Sequence, residues 1–220
     1  RTADAVTARF TSGSAVGDSS TQLPPAISPA RACTQRQPRS LRLSNAPRPS
    51  TACSTVMIAA VDGAALGFGL TALPHCDFCY LTTPARPRAP FVRLGVVPEA
   101  ASSFLLPAVV GIRIAAELLY AADFIGGPRA VELGLANACV EPGDLLATAY
   151  ATATRVADNP PGAVRATKRL LLETRRAQVR EAIDRENAAF AERMGTPENL
   201  EALKAFWEKR PPDFSNLPEA

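Results

Sequence analysis

The sequence predicts an α/β domain that passes into a helical C-terminal region. Three observations carry this. Val56-Met-Ile-Ala-Ala-Val61 and Phe78-Cys-Tyr-Leu81 are short, continuous apolar runs, the mark of strands buried on both faces. A glycine-rich turn, with glycines at 63, 67 and 69, stands between them and opens a helix. Beyond about Ala100 the apolar spacing is mostly helical. Strands alternating with helices, then helices alone, give that fold class. A chain of 220 residues suffices for one domain with a real core.

Taken in order, residues 1–55 differ from the rest. They are rich in Ser, Thr, Pro, Arg and Ala, with almost no acid after Asp18. Pro24, Pro25, Pro29, Pro38, Pro47 and Pro49 interrupt any long element. The segment reads as irregular or disordered, with a mitochondrial-type transit peptide and a frame-shifted stretch as alternatives. Within it, Phe10-Thr-Ser-Gly-Ser-Ala-Val16 has the form of a strand end turning on Gly13. The chain begins with Arg, which suggests a fragment or a processed form.

Val56–Val61 is the first buried strand, and Asp62-Gly63 ends it. Gly67-Phe-Gly69 leads into a short helix at Leu70–Leu73, limited by Pro74. Phe78–Leu81 is the next strand, followed by a proline-punctuated loop from Thr82 to Arg88. Pro98 marks a helix start, which places Glu99 in its first turn. Helical stretches follow at 100–110, 113–121 and 128–133, and a short strand at 136–140. Asp144 is the expected cap of a helix over 145–157. Asn159-Pro-Pro161 breaks it. One long helix is expected over 162–194, with Val164, Leu171, Val179, Ile183 and Phe190 on its apolar face. A last helix opens at Thr196-Pro-Glu198 and carries Leu200, Leu203, Phe206 and Trp207.

Composition narrows the function classes. A net charge of +3, without basic residues gathered on one face, is a weak nucleic-acid signal but suits an anionic, phosphate-bearing ligand. Cys33, Cys53, Cys76, Cys79 and Cys139 are odd in number and irregularly spaced, so a reducing compartment fits better than a disulfide framework. No apolar run reaches the length of a membrane span.

Five motifs invite chemistry. The glycine turn follows a strand and precedes a helix, so its free N–H groups can hold a phosphate or a developing oxyanion. Its spacing matches neither a dinucleotide fingerprint nor a P-loop, and glycine also serves bare turn geometry. Glu99 in apolar company is either favoured by the helix dipole or desolvated as a proton carrier. His75-Cys-Asp-Phe-Cys79 lacks the second ligand pair of a zinc site, and buried thiols are the better reading, so no metal is expected. A Ser/His/Asp triad has no Gly-x-Ser-x-Gly elbow here. Lys168, Arg169, Arg175, Arg176, Arg180 and Arg185, interleaved with acids, read as a solvated helix face.

Together these segments resemble the enoyl-CoA hydratase/isomerase (crotonase) superfamily from Val56 to about Phe214. The resemblance is carried by Ile58-Ala-Ala-Val-Asp-Gly-Ala-Ala-Leu-Gly-Phe-Gly69, Cys76-Asp77, Leu94-Gly-Val-Val-Pro98, Leu106-Pro107 with Val110-Gly111, Glu132-Leu-Gly-Leu135, Asn159-Pro-Pro161 with Lys168, and Ala205-Phe-Trp-Glu-Lys-Arg210. Leu73-Pro74, Pro90-Phe91 and Pro98-Glu-Ala-Ala-Ser-Ser103 look most like the peroxisomal-type Δ3,Δ2-enoyl-CoA isomerases.

The resemblance implies a crotonase-like spiral core over 56–158, a helical region over 159–214, and an N-terminus that is incomplete. It implies an oxyanion hole formed by the backbone N–H groups of Phe68 and Ser14, the latter in the Phe10–Val16 motif, whose usual Asp is Ala15 here. It matches the two hydratase glutamates to Thr71 and Phe91, neither of which carries a carboxylate, and the single isomerase glutamate to Glu99. It sets Ala64, Leu66, Gly67, Phe91 and Lys209 against an acyl-CoA substrate, with coenzyme A as part of the substrate and no further cofactor. The expected function is Δ3,Δ2-enoyl-CoA isomerisation in unsaturated fatty-acid oxidation. Enoyl-CoA hydration and a non-catalytic acyl-CoA-binding or oligomerisation module are the alternatives. A homotrimer or hexamer, no nucleic-acid partner, and an intracellular location in peroxisome or mitochondrion complete the expectation, although Leu217-Pro-Glu-Ala220 is not a Ser-Lys-Leu-type signal.

Overall fold

A computed structural model describes residues 6–11 and 55–218. In chain order the strands and helices are β1 (Val6–Thr11), β2 (Met57–Asp62), β3 (Ala64–Leu66), α1 (Phe68–Thr71), β4 (Phe78–Thr82), β5 (Arg86–Arg88), α2 (Ser102–Val110), α3 (Ile112–Ala116), α4 (Gly127–Glu132), β6 (Ala138–Val140), α5 (Leu145–Ala157), α6 (Pro161–Glu173), α7 (Arg176–Arg193) and α8 (Pro197–Glu208). The main sheet has four parallel strands in the order β1-β2-β4-β6. A second, two-stranded parallel sheet pairs β3 with β5.

The unbroken apolar run of β2 follows from its central place. Ala59 and Val61 join Leu81, Leu70, Leu73 and Leu106 in one core on one face of the sheet. Ile58 and Ala60 join Tyr80 and the α5 residues Leu145 and Ala149 on the other. Side chains alternate between faces, so a strand covered on both sides carries no polar alternation. The alanines let the flanking helices approach, while Ile58 and Val61, fully buried, each contribute about 1.5–3 kcal/mol. Across the sheet, the buried hydroxyls of Tyr80 and Thr152 bond at 2.8 Å and tie α5 to β4. Asn137 extends the short β6: its Oδ1 accepts from Cys79 N, and its N–H donates to Cys79 O, both at 2.7 Å.

The described structure departs from the sequence expectations at several points. In the N-terminal segment, the strand is Val6–Thr11, and it runs along β2 with Phe10 opposite Val61. Residues 12–54, with most of the expected irregular segment, lie outside the described residues. The expected loop after Thr82 holds β5, whose partner β3 is three residues long and so carries little periodic signal. The single helix expected over 162–194 is two helices, α6 and α7, divided at Thr174–Arg175. They have different partners: α6 anchors to the start of β2 and β4 through Lys168, whereas Val179 and Ala182 of α7 pack on Ala101 and Leu105. Asp144 does not cap α5 with its side chain, because it closes a 3₁₀ turn in helical conformation, φ −98° and ψ −9°.

Lys168 is also not part of a solvated stripe. It is buried, and its Nζ donates to Thr55 O and to Asp77 Oδ2, both at 2.6 Å. Asp77 Oδ2 in turn accepts from Met57 N at 2.7 Å. This ion pair joins α6 to the entry of the two central strands. Removing one partner of such a pair strands the other charge, which costs about 3 kcal/mol. Lys168→Ala is therefore expected to lower the melting temperature by about 6–12 °C in thermal unfolding. A shift under 2 °C would show that the pair does not hold the core.

Candidate active site

The glycine turn is built around Gly67. Its φ of 54° with ψ of −114° is open to glycine and closed to a side chain. Gly67 N–H donates to Arg88 O at 2.8 Å, which hangs the turn on β5. Gly67 O accepts from Leu70 N and Thr71 N at 3.0 and 3.1 Å. The amide N–H of Phe68 has no acceptor among the described residues, and Phe68 is half exposed. With only four residues α1 has little dipole, so the turn offers a hydrogen-bond donor rather than a field. Thr71 is fully buried and Phe91 nearly so, and a Cβ built on Gly67 would lie 3.8 Å from the Phe91 ring.

Glu99 does not stand in the first turn of a helix. Helix α2 begins at Ser102, and Glu99 lies in the bend before it. Ala100 and Ala101 both take left-handed backbone, with φ of 62° and 57°. Each such alanine costs on the order of 1–2 kcal/mol. Three contacts hold the bend. Ser102 Oγ donates to Glu99 O at 2.6 Å. His75 Nε2 donates to Ala100 O at 2.7 Å, which fixes the tautomer because a carbonyl only accepts. Glu186, buried in α7, accepts from Ala101 N at 2.6 Å and from Ser103 N at 2.8 Å.

His75 ends the 3₁₀ turn Leu73–His75 that follows α1, so the glycine turn and the Glu99 bend are bonded into one unit. The Glu99 carboxyl is half-buried and has no hydrogen-bond or ion-pair partner among the described residues. Burial raises its pKa above the ordinary carboxylate value, and the nearby negative charge of Glu186 adds to this. The group is thus inclined to take up a proton, as an acid/base requires.

The other expected residues sort differently. Ala64 and Leu66 are exposed on either side of buried Ala65. Lys209 is exposed at the left-handed end of α8, with no hydrogen bond or ion pair to the glycine turn among the described residues. Ser14 lies outside the described residues. Burial pushes the Cys76 thiol up to about 11 and the Cys79 thiol up to about 12, so both stay protonated. Among the described residues no group of three or more His, Cys, Asp and Glu is placed to hold a metal ion. A cavity of about 750 Å³ lies beside α6, bordered by Leu73, Asn137, Lys168 and Leu171, but by neither Phe68 nor Glu99.

Sequence reasoning missed Glu186, which it placed among the mixed charges of a solvated face. The signal was its spacing. Val179, Ile183, Glu186 and Phe190 share one stripe, and an acid on an apolar stripe is a buried acid that needs donors.

Burial holds the His75 pKa below its ordinary value; its bond to Ala100 opposes this, and the charge of Arg175 adds to it. The unfolded chain therefore binds the proton first, and His75's contribution to stability, present above about 6.5, is lost as pH falls from there through the lower folded value. His75→Gln is expected to lower the melting temperature at pH 7.5, with the gap to the parent chain narrowing at pH 5. An equal gap at both values would remove His75 as the cause.

Comparison with known proteins agrees with this architecture. The family model described as enoyl-CoA hydratase/isomerase matches residues 34–217. The chain is 34% identical over 154 residues to a short-chain-enoyl-CoA hydratase of Clostridium acetobutylicum, covering 70% of this chain and 59% of that protein. It is 35% identical over 158 residues to a crotonyl-CoA hydratase of Syntrophomonas wolfei, covering 72% and 61%. It thus spans about six tenths of the length of these curated relatives. The crystal structure of an enoyl-CoA hydratase/isomerase from Pseudoalteromonas atlantica superimposes with a TM-score of 0.73 at 40% identity, over 75% of this chain and 66% of that one. With most of this chain matched by the family model and the fold shared, the chain belongs to the enoyl-CoA hydratase/isomerase family.

Proposed function

We propose that the protein is a Δ3,Δ2-enoyl-CoA isomerase in which Glu99 carries the proton. The observation that carries this reading is the half-buried carboxyl of Glu99, unpartnered among the described residues, in a chain that has Thr71 and Phe91 at the positions where the resemblance puts the hydratase glutamates. Hydration needs one group to activate water and another to protonate carbon. A 1,3-proton shift needs one carrier only.

In this mechanism the Glu99 carboxylate takes a proton from C2 of a 3-enoyl thioester. The C2–H electron pair becomes the C1–C2 double bond of a dienolate that keeps its C3–C4 double bond, and negative charge moves to the thioester oxygen; when C4 is protonated, the carbonyl re-forms and the remaining double bond lies between C2 and C3. The free N–H of Phe68 stabilises that oxygen, with Ser14 proposed as the second donor. Glu99 then returns the proton to C4, which yields the conjugated 2-enoyl thioester with no atom gained or lost. A raised carboxyl pKa suits both halves of the shuttle, since the base is stronger and the acid stays protonated until C4 collects it. Coenzyme A enters as part of the substrate. Ala64, Leu66 and Lys209, exposed as they are, are available to the acyl-CoA chain and its phosphates.

Enoyl-CoA hydration is the second reading, favoured by the names of the two curated relatives. The two reactions move the same chromophore in opposite directions. Isomerisation of a 3-enoyl-CoA generates the absorbance of the conjugated thioester, and hydration of a 2-enoyl-CoA removes it. The chain is expected to give a rise with the first substrate and little change with the second. Glu99→Gln is expected to cut that rise by roughly 10²–10⁴-fold. Because the charged form of Glu99 is disfavoured in the folded chain, the same substitution should raise the melting temperature at neutral pH. Equal rates in parent and variant would remove Glu99 from the reaction, and consumption of the 2-enoyl-CoA instead would establish hydration.

A further inference from the structure

We propose that Glu186 is a positioning residue of this site: its buried carboxylate clamps the backbone amides of Ala101 and Ser103 and so sets where Glu99 stands. The inference rests on reading Glu99 as the proton carrier.

Adhesion of α7 to α2 does not require a charge. Ala101 and Leu105 meet Val179 and Ala182 in an apolar cluster, with Phe104 and Ile183 at its margin. An acid buried there with no ion-pair partner among the described residues is costly to desolvate. What it contributes is geometry. Oε2 takes the Ala101 amide and Oε1 the Ser103 amide, at 2.6 and 2.8 Å, so both oxygens of one planar group grip the chain on either side of Ser102. The gripped backbone has two successive left-handed alanines, a shape it would leave if released. Glu99 has no side-chain bond of its own among the described residues, so the backbone just beyond it determines its position.

The groups around this bend are few. Glu186 faces Glu99 from α7, His75 reaches the bend from the 3₁₀ turn, and Arg175 acts on His75 from the α6–α7 break. Glu186 is the charge that bears on Glu99, and being negative it favours a protonated partner. One residue therefore both holds the bend and strengthens Glu99 as a base.

The test follows the Glu99 carboxyl by carbon-13 NMR through a pH titration, with Glu99→Gln assigning the signal. In Glu186→Gln the midpoint is expected to move down toward the ordinary carboxylate range. The acidic limb of kcat/KM for 3-enoyl-CoA isomerisation moves with it, and the plateau falls roughly 10–100-fold. An unmoved midpoint in this variant overturns the inference. Should Glu186→Gln fail to fold, Glu186→Asp decides: it keeps the charge and shortens the reach, so turnover is expected to fall about tenfold or more, and unchanged turnover overturns the inference. The midpoint is read without turnover, so a parent chain inactive on 3-enoyl-CoA would remove the proposed function and leave the Glu186 result to stand or fall by itself.

Discussion

A parallel strand placed inside a sheet must be covered twice, and β2 imposes that condition on the whole domain. One face receives Leu70, Leu73 and Leu106. The other receives α5 through Leu145 and Ala149. Neither cover is independent of the site. The residues that seal the first face belong to α1, to the turn after it and to α2, which are the elements that flank Gly67, His75 and Glu99. Packing the core and positioning the chemistry are thus one operation, and the buried Lys168–Asp77 pair fixes a third helix to the entry of the same strands.

The bend from Glu99 to Ser103 shows how strain is held in such a frame. Two adjacent left-handed alanines would not persist in a free chain. Here His75, Ser102 and Glu186 each bond to the segment, and they come from three separate parts of the sequence. The bend keeps Glu99 out of α2, and burial and the charge of Glu186 both disfavour its ionised form. A second far contact steadies the Phe91 side of the site. Asn199, buried in α8, donates from Nδ2 to Leu94 O at 2.7 Å, and Gly95 allows this approach because any Cβ there would meet Asn199 N at 2.7 Å.

Much of this was legible in the chain. The apolar run of β2, the Asp62-Gly63 turn, the strand at Phe78, the helix over 145–157 and the last helix from Pro197 all carry local signals: apolar periodicity, glycine, proline or a capping threonine. The α6–α7 break carries none, since neither Gly nor Pro marks Thr174–Arg175 and the break exists because the two helices serve different partners. β3 and β5 are three residues each, too short for a period to register. The exposed Leu200, Phe206 and Trp207 of α8 read as an apolar helix face, while the described structure buries instead the small side chains Ala202 and Ala205.

Periodicity and residue chemistry, both local, are enough to give the α/β class, the central strand, the glycine turn with Phe68, and Glu99 as an acid in apolar company. Folding adds what no local signal carries: Glu99 precedes its helix, His75 supports it, and Glu186, 87 residues further on, holds the bend and acts on its charge. The reason is physical. A backbone amide records nothing of its acceptor in its own residue type, and a carboxyl's affinity for protons depends on neighbours that only folding brings near.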